Sequence, residues 1–85
     1  MSDFAERILM GREAGYRLED PVLNEALDKM VEKWMRGIVN AAPAQTDEII
    51  EAKRRIDAVQ ELRSTLRAWV EDGEMALAQQ EEDEK

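Results

Sequence analysis

Cysteine and histidine are both missing from this 85-residue chain, and each absence closes off a set of chemistries. Without cysteine there can be no disulfide, no thiol nucleophile and no cysteine-bound zinc; a reducing compartment fits that composition. Without histidine, the commonest general base near neutral pH and the commonest metal ligand are both gone. Ser-His-Asp and Cys-His sites are therefore impossible within this chain, as is the Glu-x-x-His pattern of di-metal helical bundles. Aromatic residues are nearly as scarce, with Phe4, Tyr16, Trp34 and Trp69 the full set. The glycines stand apart in helical surroundings and form no phosphate loop. No stretch reaches the roughly eighteen consecutive apolar residues that a membrane span needs. The opening MSDFAERILM lacks the basic and long apolar regions of a secretion signal. No catalytic residue, cofactor or metal is expected, and the chain reads as a soluble cytoplasmic protein.

Acidity is abundant but unevenly placed. From Glu71 to Lys85 there are seven acids and one base, which accounts for −6 of the formal −8. The preceding seventy residues are nearly balanced. Carboxylates three or four apart, such as Glu25 with Asp28 or Asp47 with Glu51, fit a solvated helix face rather than a site. The terminal acids lack the alternation and central glycine of a calcium loop.

The apolar pattern is helical throughout and gives no strand signal. A first helix is expected over about 3–18, where Asp3 and Glu6 have capping-box spacing and Phe4, Ile8, Gly11, Gly15 and Leu18 share a face. Gly11 and Gly15 either allow another helix to come close or simply loosen this one, since each glycine costs roughly 1 kcal/mol inside a helix. A second helix starts at Pro21, behind the cap residue Asp20, and should run to about 41. Its stripe is Leu23, Leu27, Met30, Val31, Trp34 and Ile38. Pro43 ends it in the phrase NAAPAQ. Thr46 then caps a third helix, expected over about 46–72, with Ile49, Ala52, Ile56, Val59, Leu62, Leu66, Trp69 and Val70 on its stripe.

Two long helices joined by a short break predict an all-α fold, an antiparallel helical hairpin with a short leading helix. Residues 1–78 would form a single helical domain, and residues 79–85 an acidic, disordered tail. A hairpin turning near residue 44 would set Trp34 across from positions 54–56, and Trp69 near Pro21 and Val22. Gly73 stays open between two roles. It follows the end of the apolar stripe, as a left-handed helix stop would, but Glu71 and Asp72 are unfavourable at a helix C-terminus, so the helix can equally pass through.

Met35, Val39 and Ala42 lie beside the main stripe of the second helix and, with Trp34 and Trp69, form the candidate surface for a partner or a second copy. A chain this short needs such cover more often than a large one. Lys29, Lys33 and Arg36 form a candidate basic contact stripe, interrupted by Asp28 and Glu32. Binding of nucleic acid is not expected from a body this weakly basic with so few aromatics.

The phrases LEDPVLNEALDKM, NAAPAQTDEI and AKRRIDAVQELRSTLRAWVEDGEMA resemble those of short acidic helical proteins of tailed bacteriophages and prophages, encoded among head and packaging genes. The likeness covers about residues 4–76. It implies a small virion-associated or assembly protein, not an enzyme, acting in the host cytoplasm or the particle by contact with itself or with a larger phage structural protein. An acidic inhibitor of a host protein is the alternative reading, and a small nucleic-acid binder using Lys29, Lys33 and Arg36 is a third.

Overall fold

The computed structural model describes residues 3–84 and is helical almost throughout. Asp3 starts the first helix: its backbone is extended and its carboxylate accepts a hydrogen bond from the Glu6 amide at 2.8 Å. This satisfies one of the amides that a helix start leaves without an intrahelical partner. Helix α1 spans Phe4–Glu19 and places Arg17 in its last turn, where a cation suits the helix dipole. It ends because Pro21 disfavours helical geometry at the residue before it; Asp20 is extended, at φ −70 and ψ 114. Pro21 is itself the first residue of helix α2, Pro21–Asn40, a position where its missing amide hydrogen costs nothing.

A tight turn follows. The Gln45 amide donates to the Ala42 carbonyl at 2.8 Å, with Pro43 at the second turn position where its fixed φ is favoured. The Gln45 side chain closes the same turn by accepting from the Ala42 amide. The Ile49 amide then donates to the Gln45 carbonyl at 3.2 Å. Gln45 therefore holds the capping place, and Thr46, read from sequence as the cap, is the first helical residue of α3.

Helix α3 runs from Thr46 to Asp83 without a break. This corrects the expected end near residue 72 and the expectation of a disordered run over 79–85, because residues 79–83 are its last turns; Lys85 lies outside the described residues. The physical reason lies at Gly73. No described glycine has a positive φ, so Gly73 forms no left-handed stop, and Glu71 and Asp72 sit inside the helix rather than at its disfavoured end.

Along α3, Ile49, Ala52, Ile56, Val59, Arg63, Leu66, Val70 and Gly73 step alternately by three and four, and all are buried or half-buried. This is the seven-residue repeat of helices packed side by side. Within it Ala52, Val59, Leu66 and Gly73 are the most deeply buried. On α1, Phe4, Arg7, Gly11, Ala14 and Leu18 keep the same stepping.

The chain divides into two compact units: Met1–Asp20 with Arg63–Lys85, and Pro21–Leu62. In the first, α1 packs on the later part of α3 through Gly11, Ala14, Leu66, Gly73 and Ala76. In the second, α2 and the earlier part of α3 bury Leu27, Ala52 and Val59. The core is built from small and medium side chains, and among the described residues no large side chain is fully buried. No helix among them is long and apolar enough to cross a membrane.

Candidate interaction surface

The first unit is organised by a glycine-to-glycine crossing. A Cβ placed on Gly11 would lie 2.9 Å from the Gly73 Cα and 3.0 Å from the Trp69 carbonyl oxygen. A Cβ on Gly73 would lie 3.0 Å from the Gly11 Cα and 3.1 Å from the Arg7 carbonyl oxygen. The obstructing atoms are backbone on both sides, so no side chain can swing aside to admit a methyl group. Gly11 therefore has the close-approach role, against the later part of α3 of its own chain. Gly15 does not share it, since its added Cβ would make ordinary contact with Val70 at 3.8 Å.

One turn away, Arg7 grips Asp72. The guanidinium Nε donates to Oδ2 at 3.0 Å and Nη2 donates to Oδ1 at 2.8 Å, the two-pronged geometry that suits arginine and carboxylate. Nη2 also reaches the Asp72 carbonyl at 3.5 Å. These hydrogen bonds, with the nearby positive charge, hold the Asp72 carboxyl below its ordinary pKa despite some desolvation. They raise the already high pKa of Arg7. Sequence reading missed this pair, because its members are 65 positions apart. Its one trace was an aspartate where the helix was expected to end, a poor place for negative charge.

Beside the crossing lies an open apolar surface. Met10 and Trp69 are 51% and 44% exposed and line two adjoining grooves, one with Arg7 and Asp72, the other with Ala14, Leu66, Glu13 and Arg17. Trp69 thus faces α1, where the hairpin argument set it near Pro21 and Val22. On the other flank, Ile8, Gly15, Val70 and Leu77 line a groove of ≈ 220 Å³ between Arg12 and Glu74.

In the second unit the proposed surface residues part company. Met35 and Val39 are 53% and 80% exposed and line a groove with Glu32, Arg36 and Asn40 on α2. Ala42 is exposed in the turn. Trp34 is half-buried, and its ring lies 4.4 Å from the Arg55 guanidinium carbon and 5.1 Å from the Lys33 Nζ. Both are within cation–π range, and Arg55 stands within the expected 54–56 window. The basic stripe is divided in the same way: Lys29 is 3.5 Å from Glu32 and 3.8 Å from Glu25, Lys33 lies over Trp34, and Arg36 borders the Met35 groove.

The surfaces offer apolar contact rimmed by charges of both signs. Among the described residues no group of three or more acidic side chains could hold a metal ion. Compared with models of protein families, with curated proteins and with solved structures, the chain matches none.

Proposed function

We propose that this chain is a non-enzymatic helical interaction module that works by packing its exposed apolar surface against other helices. Its α2 and α3 would pair as an antiparallel hairpin, a reading supported by the turn at Ala42–Gln45 and by Arg55 over Trp34. The observation that carries the proposal is the imbalance between core and surface. The buried apolar set is Ala14, Leu27, Ala52, Val59, Leu66 and Ala76, whereas Met10, Met35, Val39 and Trp69 are among the large apolar side chains left in water.

The total accessible surface is also large for the chain's mass. The chain exposes 6628 Å², where a folded monomer of its 9.8 kDa mass is expected to expose about 5,200 Å². The surplus, roughly 1,400 Å², exceeds the roughly 800 Å² per partner that a standard protein interface covers.

The setting we propose is the head or assembly apparatus of a tailed phage, in the host cytoplasm or the particle, a reading supported by the resemblance of LEDPVLNEALDKM and the phrases after it. Tagged protein expressed in its native host should co-purify with a phage structural protein or with untagged copies of itself. Mass spectrometry of purified virions then separates a particle component from an assembly factor. Recovery of the tagged chain alone would sink the module reading.

A further inference from the structure

We infer that Trp69 marks the centre of an antiparallel homodimer, in which α3 of a second copy docks on the Met10–Trp69 face with its direction reversed. The inference rests on the packing-module reading and names its occupant. Three observations carry it.

The first is the face itself. Trp69 is a large aromatic with nearly half its surface in water, next to Met10 and bordered by the Arg7–Asp72 pair and by Glu13 and Arg17. An aromatic anchor with an apolar neighbour and a charged rim is the usual build of an interface centre. The rim carries two acids and two bases, so it has no net sign that would call for a strongly charged partner.

The second is the charge along α3. The fifteen residues before Trp69 on one side, 53–67, hold five bases and two acids, a net of +3. The matching fifteen on the other side, 71–85, hold seven acids and one base, a net of −6. A two-fold axis through Trp69 lays each stretch against its opposite in the second copy. Arg54 then comes level with Glu84 of the second copy, while Arg55 keeps its place over Trp34. A parallel pairing would instead set −6 against −6, and like charges across an interface are strongly disfavoured. An interface of this kind is self-complementary, as a two-fold dimer requires. It also gives the terminal acids a role that no packing within the chain supplies.

The third is area. The surface in excess of a folded monomer's is large enough to supply one partner's share of a standard dimer interface.

Sedimentation of the full chain tests the inference. Wild type should be a dimer that weakens with salt. Trp69→Ala should dissociate it at least ten-fold more readily, with circular dichroism checking that the helices persist. Arg54→Glu alone, or Glu84→Lys alone, alters only an exposed position. Each reversal should weaken the dimer roughly ten-fold at low salt, by placing like charges together. Both substitutions in one chain should restore it. Since the chain has no cysteine, single nitroxide labels report direction cleanly. A label at Ala68→Cys should give a short distance between copies, and one at Glu61→Cys an axial offset about 21 Å greater, from the helical rise. Equal distances at the two sites, or reversals that do not rescue each other, would overturn the antiparallel dimer. So would a chain that stays monomeric, and that result leaves the module reading to stand or fall on its own co-purification test.

Discussion

Gly11 and Gly37 have the same side chain and opposite roles. Alanine is favoured over glycine in a helix by about 1 kcal/mol, and nothing lies within 4 Å of a Cβ added to Gly37. Gly37→Ala should therefore stabilise the protein by roughly 0.5–1 kcal/mol. At Gly11 or Gly73 the same change drives a methyl group into the backbone of the facing helix. The helices must separate, and a net loss of roughly 1–3 kcal/mol is expected, the range for overpacked contacts. Denaturant midpoints of the three variants test this through the sign of the change alone. The Arg7–Asp72 pair makes a pH prediction. Because the Asp72 pKa is lowered in the folded protein, its contribution is fully present above the ordinary aspartate value of about 3.9. It is lost as the pH falls through the lower folded-state value. Asp72→Asn should melt below wild type at neutral pH, and the gap should close under acid. A gap that persists unchanged at low pH would assign the effect to packing.

At the scale of elements, the continuation of α3 beyond Gly73 is what α1 depends on. Ala76 is 0% exposed and Gly73 is the crossing point, so these two residues form much of the surface on which α1 rests. Removing residues 73–85 should release α1, and amide protons of residues 8–18 should then exchange nearly as fast as in an unfolded chain. Removing only residues 79–85 leaves both contacts in place and should keep most of that protection. Hydrogen exchange followed by mass spectrometry distinguishes the two truncations. The small side chains at this seam also explain why the packing of α1 on α3 is hard to read from sequence. A Gly–Ala face has little hydrophobic contrast, yet it brings backbones closer than leucine would allow.

For the whole molecule, the large apolar side chains left uncovered set the expectation. Met35→Glu with Val39→Glu removes apolar surface that lines a groove and makes no buried core. If partners dock there, the double variant should lose co-purifying protein while keeping its helical content. Thermal melts at rising protein concentration give an independent check, because a chain stabilised by association melts higher when concentrated.

Asp3, the Asp20-Pro21 step and Pro43 determined by themselves where helices begin and end, because capping and proline sterics act within about one turn and need no distant partner. The apolar spacing likewise determined that the chain is all-helical. It also carried Trp34 to the neighbourhood of Arg55. What only the tertiary structure decided are the roles of Gly73, Asp72 and Trp69. A glycine after a thinning stripe can serve as a left-handed stop or as a place for two backbones to touch, and the local sequence is the same for both. Gly11, far away in the chain, decides between them: with its backbone against Gly73, α3 gains more by continuing into the contact than by stopping, and Asp72 gains Arg7 as a partner.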